Sequence, residues 1–209
     1  TATTNRSYST VEPRWIAGKL ISIKILIEMK TIIVLLIFCL AFLVTAAGQE
    51  KYSTKTGEIT FEASVPSFEE VKAKNTNVSA VLDADTGKFA ALALMKGFRF
   101  KVALMEEHFN ENYIESSKYP KATFKGTIQD FDASKASEKR EYLINGIFNL
   151  HGVDKKMDVP AVISVNDGVV TLTAQFVLKP EGFNIKIPSI VSNKIAENVN
   201  VSVTFQLQK

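Results

Sequence analysis

The sequence has very little cysteine and histidine. Of its 209 residues one is a cysteine, Cys39, and two are histidines, His108 and His151. Cys39 lies in an apolar run near the start, so the chain beyond residue 48 can form no internal disulfide and offers no cysteine nucleophile. A structural zinc site needs four cysteine or histidine ligands, and a two-metal carboxylate site needs a repeated Glu-x-x-His motif. We therefore predict no metal and no cofactor.

The chain from Gln49 onward also carries no excess of positive or negative charge. The formal net charge is +3, but five of the 25 basic and two of the 22 acidic residues precede Gln49, which leaves 20 of each after it. A balanced surface does not favour a phosphate backbone, so no nucleic-acid partner is predicted. The sequence has no G-x-S-x-G motif and no glycine-rich phosphate loop, and no catalytic residue is assigned.

A single long apolar run occupies residues 32–44, after Met29-Lys30 and before the small residues 45–48. This pattern predicts a cleaved secretory signal peptide over 29–48, since a membrane-spanning helix needs roughly 20 apolar residues. Residues 1–28 precede the plausible initiator Met29 and are expected to be an upstream extension that is not native to the protein. Residues 49–209 then form one exported domain, long enough for its own core.

Apolar and polar residues alternate along most of this domain, which is typical of half-buried strands. Turn signals separate the runs, and Asn166-Asp167-Gly168 predicts a tight hairpin. Eight or nine strands with short connections predict an all-β fold, a single antiparallel sheet closed into an eight-stranded (or nine-stranded) barrel. The runs cover residues 59–65, 78–82, 89–95, 98–102, 122–129, 142–150, 157–165, 170–178 and 199–207.

The inward positions of these strands mix phenylalanines with small residues. Such a mixture is consistent with an apolar tunnel, and equally with large and small side chains that fill a tapering barrel. The pattern by itself leaves both interpretations open. The small inward residues are Ala63, Ala80, Ala91, Ala122, Gly126, Gly146, Ala161 and Ala174.

The stretch from Leu104 to Tyr119 breaks the alternation and predicts a short helical crossover. On a helix His108 and Glu111 share a face, which leaves open an enzymatic site, an isomerase or hydrolase, with His151 as the other candidate. The alternative is a solvated helix that covers one mouth of the barrel. His151 is expected on the polar side of its strand, as a turn histidine bonded to the backbone.

Three stretches resemble the YceI-like family of exported, lipocalin-like barrels, in a compact form of the kind seen in Bacteroidota. They are His108-Phe109 followed by Lys118-Tyr119-Pro120-Lys121-Ala122-Thr123-Phe124, then Gly146-Ile147-Phe148-Asn149-Leu150-His151-Gly152-Val153-Asp154-Lys155, then Gly182-Phe183-Asn184-Ile185-Lys186. The resemblance covers about Tyr52 to Leu207. It departs from the family's pattern between Val65 and Gly87, where the usual pair of strands around glycine and phenylalanine is not evident.

The resemblance implies a periplasmic barrel that holds a polyisoprenoid or similar amphiphilic lipid along its axis, with transient membrane contact and no enzymatic activity. A barrel without ligand that acts as a partner-binding module is the alternative. A homodimer is also considered as a partner, and a final strand this regular would be an exposed edge if the barrel stayed open. The residues predicted to bind the ligand are Phe98, Phe100, Phe124, Phe148, Phe176 and Phe205 as walls and Phe109, Tyr113 and Phe183 as gates.

Overall fold

The computed structural model describes residues 24–35, 50–66 and 68–209. The chain divides into two compact units, residues 1–48 and 49–209. In the first unit, residues 24–35 form helix α1. None of the described helices is long and apolar enough to cross a bilayer. The predicted signal peptide overlaps α1 only at residues 29–35; its remainder, and residues 1–23 of the predicted extension, lie outside the described residues.

The second unit is built from nine antiparallel strands, as the alternating pattern predicts. Most inward residues of these strands are apolar and most outward residues are polar, so one face of the sheet is dry. The strands are β1 (Lys51–Ser64), β2 (Lys72–Asp83), β3 (Lys88–Leu94), β4 (Arg99–Phe100), β5 (Lys121–Ile128), β6 (Arg140–Leu150), β7 (Val153–Asn166), β8 (Val169–Leu178) and β9 (Ile195–Gln208).

Eight of the strands close into a barrel. The order is β1-β9-β8-β7-β6-β5-β3-β2, and β1 also pairs with β2, which completes the ring. The two-residue strand β4 pairs with the first part of β2, at Ala73 and Lys74, and so continues the line of β3. The predicted eight-stranded barrel is therefore confirmed, and β4 is a short additional strand outside the ring. Because β9 is paired on both sides, the unpaired edge that would support a homodimer is not present.

Strand β1 bends where its pairing with β2 shifts register, on either side of Gly57. A Cβ at Gly57 would lie 2.3 Å from the Phe205 ring, so glycine lets the bent strand approach this ring closely. The first half of β1, residues 51–58, was not predicted as a strand. It is largely polar, and only Tyr52 and Gly57 in it are buried, so alternation gives little signal there.

Strand connections define two ends of the barrel. The mouth carries residues 65–66, 68–71, 95–120, 151–152 and 179–194. The closed end carries 84–87, 129–139 and the predicted hairpin, in which Asn166 pairs with Val169 across Asp167 (φ 49°) and Gly168 (φ 75°). Both central residues have positive φ, as the favoured two-residue hairpin turns require.

The closed end of the barrel is filled by completely buried side chains from four strands, β2, β7, β8 and β9. None of these side chains borders either of the two cavities described below, as expected where an interior is close-packed. The predicted open tunnel is therefore not continuous through the barrel. The completely buried residues are Val78, Leu82, Ile163, Val170 and Leu207.

The predicted crossover covers the mouth. It comprises helix α2 (Ala103–His108), a single π-helical turn (Phe109–Tyr113) and a loop that ends at Pro120, directly before β5. Arg99 and Glu106 form an ion pair at 2.6 Å, and the Phe100 backbone N–H donates to Glu106 at 3.2 Å. These contacts join the start of the crossover to β4.

Candidate functional site

An apolar cavity of about 490 Å³ lies behind the mouth. A smaller void of about 70 Å³ lies deeper in the barrel. The two share wall residues, among them Ile59, Ala93 and Ala122, so they are neighbouring compartments of one interior. The larger volume falls in the range of pockets that enclose a small organic ligand, roughly 300–1,000 Å³.

Three phenylalanines line the deeper void and not the larger cavity, and we call them the floor: Phe89, Phe124 and Phe205. The ring centroids of Phe89 lie 5.7 Å from Phe205 and 6.4 Å from Phe124, in tilted arrangements that aromatic pairs favour. Phe205 and Phe89 are buried. The completely buried residues of the closed end border neither compartment, so the void does not extend past the floor to them.

A second group of rings forms one side of the mouth: Phe61 from β1, Phe98 and Phe100 beside and in β4, and Phe109 after α2. The Phe109 centroid lies 5.2 Å from that of Phe100 and 5.4 Å from that of Phe61. Phe61 also lies 5.3 Å from Phe98. These contacts fix the crossover against the barrel rim, and all four rings line the cavity.

The opposite side is lined by Phe148, Phe176 and Phe183. Phe148 is 5.5 Å from Phe183 and 6.4 Å from Phe176, in both cases edge to face. Phe148 and Phe176 border both compartments. They stand where the cavity narrows toward the floor.

All nine residues that the sequence singled out lie on the cavity wall. Phe98, Phe100, Phe109, Tyr113 and Phe183 border the outer compartment. Phe124 and Phe205 border the inner one, and Phe148 and Phe176 border both. Their placement agrees with the predicted geometry, while their part in binding a ligand stays a prediction.

Several lining residues were missed by the sequence analysis. Phe61 was recognised as inward but not assigned to the site. Ile185, Ile187 and Val191 lie in the irregular connection from β8 to β9. Ile185 and Ile187 alternate with polar residues only until Pro188, and Val191 follows no such alternation. Phe68, in the connection from β1 to β2, also borders the cavity.

Only half of the small inward residues serve the cavity. Ala63, Ala91, Ala122 and Ala174 line it. Gly126 and Gly146 instead face each other across β5 and β6, and the Phe124 ring lies over Gly146. Ala80 and Ala161 are buried but do not line it. The tunnel interpretation of the small residues therefore holds where they line the cavity. The interpretation that they fill a tapering barrel holds for the others.

Titratable side chains line the cavity only at the mouth. They are Glu69, His108, Tyr113 and Lys194, from three different connections. Glu69, His108 and Lys194 are exposed. An amphiphile with an apolar tail would therefore meet charge and hydrogen-bonding groups only at its outer end.

His151 lies outside the cavity and holds two parts of the mouth together. It is buried, with 8% of its surface exposed, although it was expected on the polar side of its strand. Its φ of 52° at the turn explains the difference, since this left-handed conformation redirects the side chain. Nδ1 lies 3.0 Å from the Phe183 carbonyl oxygen, and Nε2 lies 3.0 Å from a Glu115 carboxylate oxygen. The predicted bond to the backbone is confirmed, and the carboxylate contact was not foreseen.

The residues around His151 complete this arrangement. The Tyr119 ring packs 4.2 Å from the imidazole, centroid to centroid. Lys118 lies 4.0 Å from Glu115. A side-chain hydrogen bond to Tyr119, followed by the charge of Glu115, raises the pKa of Lys118 above its ordinary value.

The arrangement does not resemble a catalytic centre. Both nitrogens of His151 have protein partners, and the ring does not border the cavity. Within residues 24–35, 50–66 and 68–209, no three histidine, cysteine or acidic residues are grouped so as to hold a metal ion. The geometry instead suits the enclosure of an apolar molecule.

An eight-stranded antiparallel barrel with an apolar interior open at one end defines a lipocalin-like barrel of the ligand-binding class. The chain belongs to the family of the YceI-like domain, whose model matches residues 51–207. No curated protein matches the sequence.

Solved structures support the same fold. A polyisoprenoid-binding domain from Saccharophagus degradans, implicated in plant cell wall breakdown, has a TM-score of 0.66 at 12% identity, covering 77% of this chain and 98% of that one. BcnA of Burkholderia cenocepacia has a TM-score of 0.61 at 15% identity, covering 73% and 96%. The YCEI protein of Campylobacter jejuni has a TM-score of 0.53 at 19% identity, covering 69% and 90%.

Proposed function

We propose that this protein is an exported carrier that holds the apolar chain of an amphiphilic lipid, of the polyisoprenoid type, inside its barrel. The observation that carries the proposal is the cavity of about 490 Å³, whose wall is apolar except at the mouth. Membership of the YceI-like family supports it, as does the fold shared with a polyisoprenoid-binding domain.

Energetics favour a carrier over a permanent store. Burying one methylene group stabilises the complex by about 0.8 kcal/mol relative to water. A bilayer is equally dry, so moving a chain from membrane to barrel changes the free energy little. Fit and headgroup contacts then decide the direction, and the protein can both take up and release its lipid.

Export to the periplasm is part of the proposal. The pattern of Met29-Lys30, the apolar run 32–44 and the small residues 45–48 supports a cleaved signal peptide. A lipid carrier is useful where chains must cross water between membranes, which is consistent with that location.

Transient contact with a bilayer is supported by exposed apolar side chains at the mouth. Ile190 is 82% exposed, Leu104 56% and Phe68 45%. Each is, or directly adjoins, a cavity-lining residue, since Met105 follows Leu104 and Val191 follows Ile190. Isolated exposed apolar residues are ordinary, but three around one opening favour insertion into a lipid surface. Lys186 and Lys194 flank Ile190 and suit anionic headgroups.

The alternatives are less well supported. A ligand-free structural barrel predicts a solid interior, whereas only the closed end is solid. An isomerase or hydrolase would need His151 or His108 to face a bound substrate. His151 faces the protein, and His108 is exposed at the rim.

The test is to purify residues 49–209 from cells, extract the protein with organic solvent and identify the extract by mass spectrometry. We expect one apolar chain per barrel. Phe176→Glu places a charge in the cavity wall and should leave the extract empty, whereas Val177→Glu, on the exposed side of the same strand, should retain the lipid. Empty extracts from the wild type, together with no uptake of a fluorescent fatty acid, would refute the proposal.

A further inference from the structure

We infer that the barrel is a blind pocket that limits the length of chain it buries, to about 12–20 bonds, and therefore selects short single-chain amphiphiles. In isoprenoid terms this is three to five units, since each unit contributes four chain bonds. The inference rests on the proposed lipid-binding function and adds the ligand's size to it.

The first step is that the pocket has one opening. The floor of Phe89, Phe124 and Phe205 is backed by Leu82, Leu207 and the other completely buried residues of the closed end. Phe205 is itself fixed by the close approach of Gly57. A chain that enters at the mouth stops at these rings.

The second step is the depth of the pocket. Lining residues extend from Leu172 to Leu178 on β8, from Ile144 to Leu150 on β6 and from Phe205 to Val199 on β9. Each interval is about 20 Å of strand at ~3.3 Å per residue. With the strand tilt of about 40° that such barrels have, the depth along the axis is about 15 Å. The crossover helix adds up to ~10 Å at the mouth.

The third step converts depth into chain length. An extended backbone spans about 3.5 Å for every three bonds, or ~1.2 Å per bond. A depth of about 15 Å therefore holds ~12 bonds, and about 25 Å holds ~20. The carbon atoms of a longer chain would remain in water outside the mouth and would gain nothing from the barrel.

The fourth step gives the orientation. Because Glu69, His108, Tyr113 and Lys194 all stand at the mouth, the polar end of the ligand stays there and the tail enters first. The distance from the mouth to the floor then sets the length of tail that the barrel can bury.

The experiment measures displacement of a bound fluorescent fatty acid by unbranched fatty acids of about 10 to 24 carbons. Within the pocket, affinity should rise about fourfold per added methylene. It should level off at a break point between about 12 and 20 bonds.

A cavity-filling variant tests whether the floor sets the break point. Ala91→Leu adds side-chain volume to the inner compartment and should move the break point to a shorter chain, by about two to four bonds. Ala90→Leu makes the same change on the outward face of β3 and should leave the break point where it is.

The outcomes separate this inference from the proposed function. A break point that shifts with Ala91→Leu and not with Ala90→Leu supports it. Affinity that rises steadily through the longest acid, or a break point that ignores Ala91→Leu, overturns the length limit while lipid binding stands. Failure of every fatty acid, labelled or not, to bind overturns both.

Discussion

His151 and Glu115 are joined across the mouth of the barrel, with Nε2 of the imidazole 3.0 Å from a carboxylate oxygen. Glu115 belongs to the crossover and His151 to the turn between β6 and β7. The same imidazole donates through Nδ1 to the Phe183 carbonyl oxygen, in the turn after β8. Both bonds are donated together only when both ring nitrogens carry hydrogen. One side chain thus ties together two segments that line the cavity.

We expect His151→Ala to lower the free energy of unfolding by about 2 kcal/mol, because one buried and one partly buried hydrogen bond are lost, the latter to Glu115. Urea unfolding measures the change. His108→Ala, at an exposed position, should change it by less than about 0.5 kcal/mol. Equal effects of the two substitutions would show that His151 does not hold the mouth.

The role of His151 shows where sequence reasoning fails. Alternation places residue 151 on the wet face of β6, but the strand ends at Leu150 and a positive φ turns the next side chain inward. Period two holds only while the chain stays extended. The contact to Glu115 joins residues that are 36 positions apart, which no local pattern can reveal.

The Phe124 ring covers Gly146, and this pair also yields a prediction. A Cβ at residue 146 would lie 2.5 Å from the ring and 2.6 Å from the Lys125 carbonyl oxygen. Gly146→Ala should therefore cost about 1–3 kcal/mol, as overpacked cores do. At Gly182 a Cβ would meet only the mobile end of Lys155, so Gly182→Ala is the control and should be nearly neutral. Thermal and urea unfolding compare them.

The interior of the barrel shows which features of the fold could be predicted from the sequence. Alternation identified inward phenylalanines on six of the predicted strands, because burial and period coincide there. It did not reveal that Ala91 borders a void while Ala161 lies in solid core. That difference depends on the height at which residues of neighbouring strands meet, which is set by register and strand tilt. The run 98–102 was predicted as a full strand, yet only Arg99–Phe100 pairs, because helix α2 begins at Ala103.

Lys194 is expected to contact the headgroup of an anionic ligand. Lys194→Gln should weaken binding of a fatty acid by about two- to fivefold, the scale of an exposed ion pair. Binding of the matching fatty alcohol should not change. Lys186→Gln, in the same connection but outside the cavity wall, is the control. An equal loss for acid and alcohol would mean that the charge of Lys194 is not used.

Glu50, Tyr52 and Lys209 form a polar cluster at the closed end. Glu50 contacts the Lys209 ammonium and accepts from the Tyr52 hydroxyl at 3.2 Å. The hydrogen bond from Lys209 lowers the pKa of Glu50 below its ordinary 4.5, and Glu50 raises the pKa of Lys209 above 10.5. Burial, followed by the hydrogen bond to Glu50, raises the pKa of Tyr52.

The directions of the Glu50 and Lys209 pKa shifts predict that the pair stabilises the protein over a broad range of pH. The contribution of Glu50 is complete above pH 4.5 and is lost as the pH falls through its lowered pKa; that of Lys209 is complete below pH 10.5 and is lost as the pH rises through its raised pKa. Lys209→Met should therefore lower the urea midpoint at neutral pH and converge with the wild type in strong acid. High salt should reduce the difference, because the pair is exposed. A difference that persists in acid would contradict the assignment.

The exposed apolar residues of the mouth predict binding to anionic vesicles through one end of the barrel. Ile190→Ser and Phe68→Ser should each lower the affinity for vesicles by about tenfold or more, measured by co-sedimentation, since each removes a side chain whose full burial is worth about 1.5–3 kcal/mol. The control is Leu143→Ser, which removes a comparable apolar side chain from an exposed position on the barrel wall. It should leave vesicle co-sedimentation unchanged. If Ile190→Ser and Phe68→Ser also sediment like the wild type, the mouth does not touch the membrane. Lipid must then reach the mouth as a free molecule in water, because the closed end offers no second entrance. Solubility in water falls as the chain lengthens, so uptake would slow steeply with chain length.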